Sequence, residues 1–150
     1  MEFKFKPIGI VHSPFRQKED IPRDKNKTSE GFKDIEGCLE IFPEFEAGLN
    51  DIDGYSHLFV LFVFHEAHRK SLIAHPPHDG QPRGIFATRS PHRPNPLGLS
   101  IVRLLQREGR FLQVGELDMI EGTPILDIKP YTPRDLKPEA HFGWLEKYLT

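Results

Sequence analysis

The run LFVLFVF, Leu58 to Phe64, is the feature that most constrains the fold. It is continuous, β-branched and aromatic, and too short for most helices, so it reads as a central strand buried on both faces. The segments around it carry strand patterns as well. Lys4 to Val11 alternates apolar and polar residues and stops at His12-Ser13-Pro14, which suggests an edge strand. Gly37 to Phe42 alternates again, with either Cys38 or the pair Leu39 and Ile41 facing inward. Ile85 to Ala87 leads into a proline-rich loop, and Leu99 to Leu105 leads out of it as another strand. Residues 107–110 (REGR) read as a hairpin turn, 111–120 as its partner strand, 121–124 (EGTP) as a second turn, and 125–128 as a short strand ending at Pro130.

Two short helices complete the pattern. Residues 43–49 place proline in the first turn and glycine near the end. The tail, Glu139 to Leu149, sets Ala140, Trp144, Leu145, Tyr148 and Leu149 at helical spacing. Residues 16–34 are polar without apolar periodicity and read as a long loop. Many short strands with regular turns predict a mostly β fold, an antiparallel sheet or barrel. A length of 150 residues suits one domain, 1–150, able to bury a core without staples.

Composition restricts location and chemistry. Cys38 is the only cysteine, so no intrachain disulfide forms, and a reducing, cytoplasmic setting is expected. The N-terminus lacks an apolar signal region, and the longest apolar run cannot cross a bilayer, so a protein neither secreted nor membrane-spanning is expected. Net charge is −2, but residues 28–57 hold eight acids against Lys33, and residues 81–110 hold six arginines against Glu108. The basic block supplies a local field for an anionic partner, unless the two blocks neutralise each other within the fold or across a dimer.

Several common chemistries are disfavoured. HEAH (65–68) and HPPH (75–78) pair histidines, but the first lacks zincin spacing and the second cannot be helical, so no metal site is expected. Cys38 lies in an apolar strand among acids, which raises its pKa and leaves it inert. No GxGxxG follows a strand and no GxxxxGK[ST] occurs, which sets aside a Rossmann or P-loop nucleotide site.

The stretch GIFATRSPHRPNPLGLS (84–100) stands apart. Pro91, Pro94 and Pro96 stiffen it, remove backbone donors and leave Arg89, Ser90, His92, Arg93 and Asn95 to face something else; it contains no carboxylate. With IGIVHSPF (8–15), GYSHLFVLFVFH (54–65) and LDMIEGTPILDIKPY (117–131), it closely resembles the TrmO family, also called TsaA-like proteins. The resemblance covers nearly the whole chain. It implies a single-sheeted antiparallel β-barrel with short helices, working as a homodimer. It also implies an S-adenosylmethionine-dependent methyltransferase acting on N6 of threonylcarbamoyladenosine next to the anticodon of tRNA. Two alternatives stand beside it: another methyl acceptor, or an S-adenosylmethionine-binding module without turnover.

By matching motif positions, the resemblance implies cofactor contacts from Phe64, His65, Arg89, Leu99, Ile120, Glu121, Gly122 and Thr123. An aromatic ring and backbone carbonyls suit adenine and a sulfonium, and an arginine suits a carboxylate. Methyl transfer mainly needs in-line positioning in a dry site, and a base that takes the proton of a weakly basic nitrogen helps. Asp127 and His65 are the candidate bases, with Tyr131 and Asn95 as orienting or substrate-binding groups. Asp127 has an alternative role, pairing with an arginine such as Arg93; Asn95 could cap its own loop. Arg83, Arg103, Arg107 and Arg110 are the candidate phosphate contacts for tRNA. Two departures from the family pattern are visible. IPRDKNKTSEG (21–31) places Asp24, Lys25 and Asn26 where relatives carry a glutamine-proline-glycine run, and tRNA contact without the long C-terminal extension of many bacterial members is expected.

Overall fold

The computed structural model describes residues 1–22 and 30–149. The barrel strands are, in chain order, β1 (Gly9–His12), β2 (Gly37–Ile41), β3 (His57–Val63), β6 (Leu97–Glu108), β7 (Phe111–Gly115) and β8 (Pro124–Pro130). These six close the barrel in the order β1-β2-β7-β6-β3-β8, every pair antiparallel. A separate two-stranded ribbon, β4 (Ile73–Ala74) and β5 (Arg83–Gly84), lies between β3 and β6 in sequence. The helical segments among the described residues are all 3-10 turns, at 18–20, 30–32, 43–49, 85–87, 133–135 and 143–148.

The core is the barrel interior. Val11, Leu39, Ile41, Leu58, Val60, Phe62, Val102, Leu112, Val114 and Ile125 fill it from the strands, and Leu49, Leu117 and Met119 add to it from connecting segments. Inward residues alternate along each strand, as the two-residue period of a barrel wall requires. β3 is central, with β6 on one edge and β8 on the other, but it is buried on one face only. Phe59, Leu61 and Val63 point outward and stay half-buried. Opposite them on β6 stand Ile101, Leu99 and Leu97, each more than two-fifths exposed. The continuous apolar run therefore reflects an apolar outer wall, not a second core layer.

Other boundaries moved for local reasons. β1 begins at Gly9 rather than Lys4 and is no edge, because it pairs with both β2 and β8. Pro7 cannot donate to a ladder, and Phe3 and Phe5 remain exposed. Gly9 is required where it stands: a Cβ there would lie 2.3 Å from the Glu40 carbonyl oxygen. In β2, Leu39 and Ile41 face inward and Cys38 is only partly buried. Burial, then the nearby Glu40 carboxylate, pushes the Cys38 thiol pKa up.

β6 runs for 12 residues, longer than expected at both ends, so the hairpin to β7 narrows to Gly109-Arg110 with Gly109 at φ +61°. β7 stops at Gly115 because Glu116 adopts φ +56°, and residues 116–120 leave the ladder while Leu117 and Met119 stay buried. β8 is longer than the predicted 125–128, with prolines at both ends. Residues 85–87 form a single 3-10 turn, and the tail is helical only over 143–148. The variant residues Asp24, Lys25 and Asn26 fall outside the described residues.

Candidate functional site

Three segments meet at the end of β3. The Phe64 N–H donates to the Pro96 carbonyl at 2.7 Å, which ties the strand's end to the proline loop. The Phe64 ring sits edge-on to Phe62, with centroids 5.1 Å apart. The imidazole Nε2 of His65 lies 4.0 Å from where a Cβ on Gly122 would stand, so His65 rests against the 120–123 turn. Gly122 has φ +82°, the left-handed region that favours glycine.

That turn is held from below by β1. Gly122 N–H donates to the Val11 carbonyl (2.9 Å), Glu121 N–H to the Phe15 carbonyl (2.7 Å), and Val11 N–H to the Thr123 carbonyl (2.9 Å). The Glu121 carboxylate accepts from the Ser13 N–H at 2.8 Å and faces His12 Nδ1 at 3.2 Å. His12 Nε2 meets Glu40 at 2.8 Å, and Glu40 in turn accepts from Arg110 at 3.0 Å. An imidazole with a carboxylate at each nitrogen satisfies both contacts as the cation, and the hydrogen bond to Glu40 leads in raising the His12 pKa. The same pairing lowers Glu40, and the Ser13 N–H leads in lowering Glu121. This network was not legible from sequence, since its members lie 28 and 109 residues apart.

The proline loop is braced from within. Arg93 donates to the Thr88 carbonyl (2.9 Å) and the Ser90 carbonyl (3.1 Å), and Arg89 to the Leu99 carbonyl (3.3 Å). Carbonyls carry no net charge, so among the described residues neither guanidinium is neutralised by a carboxylate. The Asn95 carbonyl accepts from the Leu97 N–H at 2.7 Å, so its backbone closes the turn into β6. His92 Nδ1 is buried without a hydrogen-bond partner among the described residues.

Not all the predicted site residues gather at this end. Tyr131 follows the far end of β8, packs its ring on Phe59 at 5.7 Å, and donates its N–H to the His57 carbonyl. It therefore lies beside the start of β3, and the strand's length of about 20 Å, at some 3.3 Å per residue, separates it from the end that leads to His65. Asp127 pairs with Leu61 in mid-strand. Its carboxylate caps the Ile128 N–H at 2.9 Å and meets Lys129 at 3.1 Å, so its ion pair is with Lys129 and not Arg93. Asp127 also borders a groove of about 560 Å³ walled by Ile8, Phe45, Leu49, Ile52 and Tyr55. Thr123 is buried, and its hydroxyl donates to the Ile120 carbonyl at 2.7 Å.

Most of the arginines assigned to phosphate binding are used by the fold. Arg110 pairs with Glu40, which joins the basic block to the acidic one inside a single chain. Arg107 donates to the Gly109 and Leu49 carbonyls. Arg83 meets Asp79 at 2.7 Å, and Arg103 has a buried, unpartnered Nε. Sequence shows the charge of these residues but not whether a neighbour has already claimed it.

Comparison with known proteins agrees with this architecture. Residues 10–135 match the family described as the tRNA-methyltransferase O N-terminal domain. A probable S-adenosyl-L-methionine-binding protein of Pyrococcus abyssi is 46% identical over 95% of this chain and 76% of its own length. The tRNA (adenine(37)-N6)-methyltransferase of Escherichia coli is 36% identical over 87% of this chain and 58% of its own. The crystal structure of TrmO from Pseudomonas aeruginosa superposes with a TM-score of 0.75 at 35% identity, covering 95% of this chain and 62% of that one. The chain thus spans about three fifths of the Escherichia coli and Pseudomonas aeruginosa proteins. On the strength of the match over 10–135 and the shared barrel, the chain belongs to the TrmO family.

Proposed function

We propose that this chain binds S-adenosylmethionine and methylates N6 of threonylcarbamoyladenosine beside the anticodon of tRNA. The observation that carries the reading is the convergence of Phe64 and His65, the proline loop, and the 120–123 turn at one end of the barrel. The residues present suit the cofactor. Arg89 spends a donor on one carbonyl and retains others for a carboxylate. Gly122 leaves open the space a side chain would fill, and the half-buried Phe64 ring offers a face for adenine. The buried, unpartnered His92 Nδ1 is a polar atom still lacking a mate.

S-adenosylmethionine, when bound, supplies a methyl group already activated on a sulfonium. The protein's part is to bind, orient and exclude water. In this reading Arg89 anchors the methionine carboxylate, while Leu99 and residues Ile120, Glu121, Gly122 and Thr123 frame the cofactor, Thr123 through its backbone and turn. His65 is the better placed of the two candidate bases, because it lies on the turn that frames the cofactor. Asn95 orients the acceptor from the proline loop. Asp127 and Tyr131 lie elsewhere on the wall and reach the reaction only across a subunit boundary.

That boundary is part of the proposal. The outer face of β3 and β6 presents Phe59, Leu61 and Val63 against Ile101, Leu99 and Leu97, an apolar patch of the kind that marks an interface. A homodimer closed over this patch covers it. Phosphate contact then falls to the carboxylate-free loop bearing Arg89 and Arg93 and to Arg107, whose partners are uncharged carbonyls, since Arg83 and Arg110 are paired with Asp79 and Glu40. No helix among the described residues is long and apolar enough to cross a membrane; action on tRNA fits a cytoplasmic setting.

The test is transfer of a labelled methyl group from S-adenosylmethionine to tRNA bearing threonylcarbamoyladenosine, with unmodified tRNA and Arg89→Ala as controls. Incorporation that needs both the modification and Arg89 supports the reading. Cofactor binding without incorporation into either tRNA refutes it.

A further inference from the structure

The proline loop is reached through an excursion the barrel does not hold. Between β3 and β6, the ribbon of β4 and β5 pairs only with itself. Ile85 is buried, and its N–H donates to the Leu72 carbonyl at 2.9 Å. A long irregular excursion of this kind carries a large conformational entropy, and Arg89 inherits any freedom it has.

The C-terminal turn, 143–148, fastens this excursion at several points. The Trp144 Nε1–H donates to the Ala87 carbonyl at 2.8 Å, two residues before Arg89. The Arg83 guanidinium lies over the Trp144 ring at 4.6 Å. His78 stacks on Tyr148 with centroids 5.5 Å apart and an interplanar angle of 21°. The Tyr148 hydroxyl donates to Asp79, whose carboxylate also takes the Arg83 guanidinium at 2.7 Å and the Gln81 N–H at 3.0 Å. Two aromatic rings and one hydroxyl thus join the tail to residues 78, 79, 83 and 87. These contacts lie past residue 135, where the family match ends.

We propose that Trp144 and Tyr148 are positioning residues: the tail is a latch that holds the 78–89 segment in place, and through it sets how well Arg89 meets the cofactor. The second half rests on the function proposed above. The latch touches no reacting atom, so its loss lowers cofactor affinity and leaves the bound-state chemistry in place.

Trp144→Phe and Tyr148→Phe keep an aromatic ring at each position and remove the indole N–H and hydroxyl donors. Hydrogen exchange of the Ile85 and Thr88 amides, measured without cofactor, reads the latch itself; calorimetric titration with S-adenosylmethionine reads its consequence. The expected result is faster exchange at both amides and affinity roughly 3- to 30-fold weaker, the range over which distant residues modulate binding. In an Arg89→Ala background the same substitutions should weaken binding no further, because the group they position is gone. Unchanged exchange in both variants overturns the latch. Full additivity with Arg89→Ala overturns positioning through Arg89 and leaves only a structural role. If exchange quickens but the unsubstituted protein binds no S-adenosylmethionine, the latch stands and the proposed function falls.

Discussion

Gly98 offers the sharpest test of how the wall supports the site. It is buried in β6 opposite Phe62, and a Cβ built on it would lie 2.2 Å from the Phe62 Cζ and 2.4 Å from Cε2. Carbon atoms pack best at about 3.5 Å or more, so the ring must retreat by about 1.3 Å. It cannot do so freely, being only 4% exposed and edge-on to Phe64. Overpacking of this kind costs about 1–3 kcal/mol, and the smaller unfolded-state entropy of alanine returns about 0.4–1 kcal/mol. The midpoints of the two ranges leave a net destabilisation of about 1.3 kcal/mol for Gly98→Ala. For a domain of this size that lowers the melting temperature by about 3–5 °C. Thermal unfolding followed by circular dichroism measures it. The ring is the cause only if Phe62→Leu relieves the clash, so the double variant should be more stable than the sum of the single costs requires. A Gly98→Ala protein that melts with the parent, or strictly additive costs in the double variant, refutes the reasoning.

Three further outcomes are expected. His12 has a raised pKa in the folded state, so its contribution is complete below its ordinary pKa of 6.5 and is lost as pH rises through the folded value; Glu40 and Glu121 are lowered, so theirs is lost as pH falls through the acid range. Melting temperature against pH should therefore peak between those limits, and His12→Gln should flatten the alkaline limb, a result that a parallel limb in the variant would contradict. Ser100→Ala removes a hydroxyl that donates to the Asp118 carboxylate at 2.6 Å and should cost about 1.5–3 kcal/mol in urea unfolding, as bonds to charged groups do; an unchanged midpoint would show that water replaces it. Leu99→Lys places a charge in the β3–β6 apolar patch and should convert the proposed homodimer to a monomer in sedimentation equilibrium; a dimer that persists uses another face, and a parent that is itself monomeric refutes the proposed dimer.

The strand positions were readable because a barrel wall imposes a period of two on its residues. Gly37 to Phe42 shows that period without help from context, though which of Cys38 or Leu39 and Ile41 faces inward needed the fold. The run at 58–64 does not, since its outward residues are apolar too, and only the register with β6 separates its faces. The end of β7 was equally hidden: Leu117 and Met119 keep the inward alternation after the ladder has stopped, and the positive φ of Glu116 leaves no mark in composition. At the site, the aromatic end of β3 and the stiff proline loop were legible as motifs. The carboxylates around His12 and the tail beneath Ala87 were not, because those contacts join residues far apart in sequence.

The sequence by itself determined the family, the mostly β architecture and the carboxylate-free loop, all of which depend on residue type and near neighbours. Tertiary structure decided which charges were already spent, such as Arg110 on Glu40 and Asp127 on Lys129. It also decided which candidates stand together: His65 rests against Gly122, while Tyr131, past the end of β8, lies beside the opposite end of β3. Pairing and proximity depend on how a closed barrel brings distant segments into register, and that is a property of the whole chain rather than of any stretch within it.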